Sequence, residues 1–383
     1  MIRTDIAMKA GMMACAGVLG LAACSSSSND SLSNNAPGTS AGVAQAQQIV
    51  GAASKPLSAV DFNYKPGPLN GSVAGKVVAL MVPSTGAGQR QVAVYRAAAT
   101  AVGLNLKVVY VGLGAEDIHN KFGELVNEPN LAGVMAVGYD PTAWQESYNA
   151  LSAKGIPVVL SFTSDNPQWN TGKTVSVVRG DTNAAVAGAN AAWMVADSKG
   201  HAKAVSFVMS ATPSMVAAGK DLSSKFIELC PSCSIDSQPT SFAAVGTTGP
   251  GQVVSYLQRH PGVKYVSVPI GDFVAGVQPA LRAAGISGVK VVAANGGPQN
   301  VQFVKDGDED SDSMYAIEFI SYVGVDAVSR LILGQDAGAA RAWVMPAVLM
   351  TAANVNGGQF SASAPSTVQV PGVAAYFASL WKK

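Results

Sequence analysis

The chain has 383 residues, with 25 Lys and Arg against 24 Asp and Glu, for a formal charge of +1. A near-neutral balance without a basic stripe excludes nucleic acid as a partner. The length exceeds one usual hydrophobic core and points to more than one lobe.

At the N-terminus, Arg3 and Lys9 form a modest basic start, followed by an apolar run over 10–23. That run is too short to span a bilayer stably but suits an export signal. It closes on Leu21-Ala22-Ala23-Cys24, which resembles the bacterial lipobox. On that reading residues 1–23 are removed and acyl chains on Cys24 hold the protein to a membrane, outside the cytoplasm. A plain signal peptide with an unrelated Cys is the alternative. Residues 24–74, rich in Ser, Asn, Ala, Gly and Pro to about Leu69, read as a flexible tether.

A βα rhythm then begins. Apolar runs at 76–82, 108–111, 133–138, 156–161 and 174–178 predict strands. Helical stretches separate them, and an Ala-rich helix follows over 182–198. The rhythm restarts with strands at 204–209, 234–238, 264–268 and 289–293, and with helices near 214–229, 251–259, 272–284 and 298–305. Continuous apolar strands alternating with helices predict an α/β fold whose parallel sheets are covered on both faces. Two such runs predict two doubly wound lobes with a cleft where their carboxyl strand ends face each other. Cys15 leaves with the signal. Cys230 and Cys233, in Cys-Pro-Ser-Cys, read as a local disulfide in an oxidising compartment. A redox dithiol or free thiols are the alternatives, although the pair follows a helix where a redox pair precedes one.

Several motifs in order resemble the ribose-type branch of the type I periplasmic-binding family. They are the 76–82 strand; Gly133-Val-Met-Ala-Val-Gly-Tyr-Asp140; Lys154-Gly-Ile-Pro-Val-Val159; Gly180-Asp-Thr-Asn183 with Gly188; Gly271-Asp272 with Ala280-Leu-Arg-Ala-Ala-Gly285; and Val291-Val-Ala-Ala-Asn-Gly-Gly297 with Val304-Lys-Asp-Gly307. The resemblance covers nearly all of 75–350. It implies two doubly wound parallel-sheet lobes joined by three hinge crossings, near 199–201, 318–321 and 341–346. Lobe 1 would hold 75–199 plus 320–343, and lobe 2 would hold 200–319 plus 344–383. It also implies a monomer that closes on a small-molecule ligand and delivers it to the permease and ATPase of an ABC importer. Handing the closed form to a sensor is the competing role.

The same resemblance places the cleft. The loop 84–90 becomes the first pocket loop, offering Gln89 and Arg90 with Tyr95 nearby. Its spacing fits neither a phosphate loop nor a dinucleotide fingerprint. Asp140 falls on a cleft position or caps the helix that Pro141 opens. Phe162 and Thr163 stand where sugar binders carry an Asp-Arg pair, which weakens a pentose or hexose reading. The change favours a less polar, aromatic ligand beside Phe162 and Trp169; a sugar or sugar-like solute is the single leading expectation, with nucleosides, polyols and aromatic compounds as the alternatives. Lys220 is the cation nearest a pocket Arg. Asp272 is the strongest ligand candidate, a helix cap at Phe273 being its alternative. Asn295 replaces an Asp with an amide that both donates and accepts, and Glu318 and Phe319 occupy the site of a Gln. Trp144 and Trp193 read as packing residues.

No catalytic constellation appears. His119, His201 and His260 lack Glu or Cys at metal-ligand spacing, and no Gly-x-Ser-x-Gly elbow occurs. The acidic run 306–312 lacks the ordered spacing of a calcium loop and reads as a solvated turn. A binding protein, with no cofactor or metal and no enzymatic activity, is the expectation.

Overall fold

The structure, a computed structural model, describes residues 37–381. The segment read as an export signal, and Cys24, lie outside the described residues.

Two sheets form as expected. The first contains β1 (Val77–Pro83), β2 (Asn105–Val111), β3 (Leu131–Val137), β4 (Val158–Ser161) and β5 (Thr174–Val178). It runs in the order β2-β1-β3-β4-β5, parallel throughout. The second contains β6 (Lys203–Met209), β7 (Ser234–Thr240), β8 (Tyr265–Ser267), β9 (Lys290–Ala294), β10 (Ser311–Met314) and β11 (Val348–Thr351). Its order is β11-β10-β9-β8-β6-β7, with only β11 antiparallel. The fold is α/β with two parallel-dominated, doubly wound sheets. The inner strands β1, β3 and β4 are apolar and largely buried, as a sheet covered on both faces requires.

The helices sort by what they cover. In lobe 1, α2 (Gly86–Val102), α3 (Ala115–Val126), α4 (Gln145–Ala153), α10 (Ile317–Ile332), α11 (Gly338–Ala342) and α12 (Val373–Leu380) pack on the first sheet or on each other. In lobe 2, α1 (Pro37–Ala53), α5 (Gly180–Asp197), α6 (Pro213–Leu229), α7 (Gly249–Arg259), α8 (Val277–Ala283) and α9 (Pro298–Asp306) accompany the second sheet.

This sorting corrects three expectations. First, the chain changes lobes at Arg179, before α5 and not after it at 199–201. The Ala-rich face of α5 packs on α6 and β10, and Asn190 donates to the Ala293 carbonyl at 2.6 Å. A sequence shows that a helix is amphipathic, but not which sheet receives it. Second, the stretch 37–74 is ordered where a tether was expected. Val43, Ala46, Ile49, Val50 and Ala53 recur at helical spacing and pack against α5 and α6. Gly42 lies so close to α6 that a Cβ there would sit 1.9 Å from the Leu229 carbonyl oxygen. Third, 373–381 belongs to lobe 1, where Phe377 and Trp381 join the core around Phe62, Tyr64 and Phe319.

Two connections therefore join the lobes beyond the ones at Arg179, at 315–316 and at 343–347. One runs from α1 to the short 3-10 turn Ala59–Phe62, and the other from β11 to α12. The two segments are tied to each other, since the Ala59 amide donates to Pro371 and Asn354 donates to Ser54. The sulfurs of Cys230 and Cys233 lie 2.09 Å apart, with Cys230 at the C-terminal cap of α6. No described helix is long and apolar enough to cross a membrane.

Candidate functional site

In both sheets the site begins where strand order reverses. In the first sheet β1 and β3 wind in opposite directions, and the loop after β1 leads into α2. Thr85 caps that helix by accepting from the Gly88 amide at 3.2 Å. The cap sets the phase of α2: Ala87, Arg90 and Gln91 face lobe 2, while Gln89 faces solvent. Gln89 is thus corrected from the site, and its neighbour Gln91 replaces it.

In the second sheet the loops after β8 and β9 supply Asp272 and Asn295. Asp272 lies in the 3-10 turn Gly271–Val274, where Ile270 and not Asp272 is the cap. Its Oδ1 accepts from Arg90 Nη2 at 3.4 Å across the cleft and from Gln299 Nε2 at 3.1 Å. Asn295 closes β9 with φ +54°, a left-handed backbone that Asn tolerates better than most residues. Its counterpart in lobe 1, Phe162 after β4, has φ +61°. A bulky side chain held there is strained, a condition that gathers at ligand clamps and hinges.

Between the lobes lies a cavity of about 30 Å³. Ala87, Arg90 and Gln91 line one side and Asn295 and Gly296 the other. Ile317 forms the hinge side, and Pro365, Ser366 and Thr367 arrive from the segment between β11 and α12. Gln91 is only 8% exposed, and its buried Oε1 has no hydrogen-bond partner among the described residues. A buried acceptor left unpaired costs on the order of 1–3 kcal/mol, so this oxygen is poised for a donor. The interlobe latch is weak by comparison. Arg90 and Asp272 are partly exposed, and such pairs contribute about 0–1 kcal/mol. A solute able to satisfy these groups can therefore compete with the latch.

Beneath Asn295 and Gly296 sits a buried acid pair. The Asp312 Oδ1 accepts from the Gly296 amide at 3.2 Å, and Glu309 Oε2 accepts from Asn300 Nδ2 at 2.7 Å. Glu309 and Asp312 are 1% and 0% exposed, which corrects the expectation of a solvated turn. Burial pushes Asp312 up to about 7 and raises Glu309 well above the usual carboxylate range, so the pair retains protons near neutrality. A Cβ on Gly296 would fall 1.9 Å from Asp312 Oδ2, so the position accepts only glycine without moving the loop.

The remaining expected site residues do other work. Asp140 is spent on the loop after β4, accepting from the Ser164 amide at 2.9 Å and the Ser164 hydroxyl at 2.7 Å. It makes no side-chain cap bond. Thr163 is fully buried and bonds to Ser176 at 2.9 Å. Phe162 meets Tyr315 edge-on at 4.9 Å, and Tyr315 donates to Asn183 at 2.9 Å, which places Phe162 at the hinge. Phe319 is stacked 4.3 Å from Phe62 in the lobe 1 core, leaving no face for a ligand. Trp169 and Trp144 are buried in the cluster on the far face of the first sheet. Glu318 is half-buried beside Tyr322, and its carboxyl is raised by burial. Lys220 lies exposed on α6 without a hydrogen bond or ion pair among the described residues. Arg90, Asp272 and Asn295 are thus the expected residues that meet at the cleft. Gln91 was within reach of the sequence by counting helical phase from Thr85, whereas 365–367 carried no signal. No cluster of metal-ligating side chains occurs among the described residues.

A family model described as a periplasmic binding protein domain matches residues 74–336. No curated protein sequence matches the chain. Among solved structures, a solute-binding protein of an ABC transporter from Burkholderia graminis, in complex with D-arabinose, has a TM-score of 0.64 at 16% identity. The alignment covers 75% of this chain and 99% of that one. An ABC sugar transporter subunit from Rhodobacter sphaeroides gives 0.63 at 18% identity, over 74% and 100%. A solute-binding protein from Agrobacterium vitis with bound allitol gives 0.61 at 17% identity, over 75% and 98%. At these identities the likeness is one of fold.

Proposed function

The chain belongs to the periplasmic binding protein family, and we propose that it captures a small polyhydroxylated solute, a sugar or sugar alcohol, in the interlobe cleft. The observation that carries this reading is the unpaired, buried Gln91 Oε1 facing a cavity between strand ends of both sheets. Arg90, Asp272 and Asn295 add the donors and acceptors that hydroxyl groups use. A sugar and a sugar alcohol are also what the solved structures from Burkholderia graminis and Agrobacterium vitis hold, D-arabinose and allitol respectively. The nucleoside or aromatic alternative loses its motive, because Phe162 and Trp169 are engaged in packing.

The solute must enter by separation of the lobes, since about 30 Å³ holds no more than a water or two. Binding then favours the closed form because both lobes contribute contacts. The closed form is delivered to the permease and ATPase of an ABC importer, with lipid on Cys24 keeping the receptor at the membrane surface. No chemistry on the solute is required, and the protein is not an enzyme.

Arg90→Ala removes one of the polar groups at the cleft and the latch to Asp272 together. We expect it to weaken binding of the preferred sugar at least tenfold in calorimetric titration, while leaving the melting midpoint almost unchanged because the pair is partly exposed. Unchanged affinity would remove this cleft from consideration.

A further inference from the structure

The segment joining β11 to α12 lies outside the 74–336 family match and folds as a hairpin. Phe360 bridges Val368 in antiparallel register, Ser361 donates to Thr367, and Gln369 donates to Gln359. Its apolar residues anchor it: Phe360 and Val368 are buried in the large core that reaches the hinge. Its tip, Pro365-Ser366-Thr367, forms a wall of the interlobe cavity beside Gln91.

Two polar groups there are unspent. Thr367 is 8% exposed, and its hydroxyl makes no hydrogen bond among the described residues. Gln91 Oε1, in the same small cavity, is also unpartnered. Ser366, by contrast, already donates to the Val368 carbonyl at 2.8 Å. The amide oxygen can only accept, while the Thr hydroxyl can donate or accept. A solute hydroxyl satisfies both, by donating to Gln91 and accepting from Thr367. Arg90 is matched by Asp272, so the cavity holds no uncompensated charge that would demand an ion.

We infer that the C-terminal hairpin is a specificity element of the receptor, with Thr367 and Gln91 together reading a hydroxyl of a neutral polyol or sugar. The inference rests on the proposed reading of the cleft as a solute site and adds a wall from outside the matched domain. It gives the hairpin a role beyond joining the lobes, since its tip meets the solute.

The test is calorimetric titration of the full chain and its variants with D-arabinose, D-ribose, D-glucose and allitol. Thr367→Val keeps the shape and removes the hydroxyl; Thr367→Ser keeps the hydroxyl. The Val variant should bind the best of the four about tenfold more weakly, the loss of one hydrogen bond, and the Ser variant should bind within twofold of the parent. If Val lowers the melting midpoint, Thr367→Ala set against Thr367→Ser makes the same comparison. Parent-like affinity of the hydroxyl-free variants, with binding by the parent intact, overturns the role of the hairpin alone. Absence of binding by the parent to all four overturns the reading of the cleft, and this inference with it.

Discussion

Asp326→Ala should lower stability by about 3–5 kcal/mol, the range for stripping one partner from a buried ion pair. Asp326 is 0% exposed on α10, and its carboxylate accepts four hydrogen bonds. Tyr64 Oη donates at 2.5 Å, Arg330 Nε at 2.7 Å and Nη2 at 3.2 Å, and Trp381 Nε1 at 2.8 Å. These donors come from the segment before β1, from α10 itself and from the residue after α12. One carboxylate thus ties the segment before β1 and the residue after α12 to α10. Removing it leaves the Arg330 guanidinium, 5% exposed, without its counter-charge, and leaves the Tyr64 and Trp381 donors unpaired. Asp326→Asn should cost less, because the amide oxygen still accepts from part of the set. The check is denaturant unfolding of both variants. A loss below about 1 kcal/mol for Asp326→Ala would mean that these two segments are held by their aromatic packing alone, through contacts such as Tyr322 on Trp381 at 5.7 Å.

The second large effect is on the pH dependence of stability. Asp312 titrates near 7 when folded, against 3.8 for the free side chain, and Glu309 is raised in the same direction, both chiefly by burial. A raised acid binds its proton more tightly when folded, so its stabilising contribution is complete below about pH 4. That contribution is lost as pH climbs through the folded value. For Asp312 the loss across pH 4–7 is on the order of 4 kcal/mol. Glu309→Gln removes one titrating proton and supplies an amide that can donate to the Asp312 carboxylate. The parent should therefore lose more stability than Glu309→Gln between pH 5 and pH 8. Parallel profiles would show that the pair does not hold extra protons. Gly296 donates to Asp312 and lines the cavity, and an ionised carboxylate accepts that bond more strongly, so the tie to the cleft loop persists as Asp312 loses its proton.

What was legible in the sequence follows from where apolar pattern decides structure. The runs that became β1, β3, β4 and β5 announce a parallel sheet because both faces are buried. β10 was hidden, since Ser311-Asp312-Ser313-Met314 is polar. Only the neighbouring strands and the protonated acids make it a buried strand, and a charge run read in isolation suggests solvent. The helix α1 was disguised by small residues. Its stripe of Val43, Ala46, Ile49, Val50 and Ala53 has helical period but little bulk, and its packing depends on close approach at Gly42. Motif order picked out Arg90, Asp272 and Asn295, which the fold brings to the proposed cleft, whereas Asp140, Thr163 and Phe319 are engaged in local packing and hydrogen bonds. A linear pattern cannot distinguish a polar group that faces the cleft from one paired with a loop neighbour. The hairpin tip at 365–367 is brought to the cleft by the return of the chain to lobe 1, a tertiary event with no local signature.

The most direct test of the central claim is calorimetric titration of the full chain, after unfolding and refolding to strip carried-over solute, with D-arabinose, D-ribose, D-glucose and allitol, paired with Gln91→Leu. Saturable one-to-one binding of at least one of these is expected, with a loss of about tenfold or more in the Leu variant. Binding that Gln91→Leu leaves intact would place the site elsewhere, and no binding of any of the four would contradict a polyhydroxylated solute.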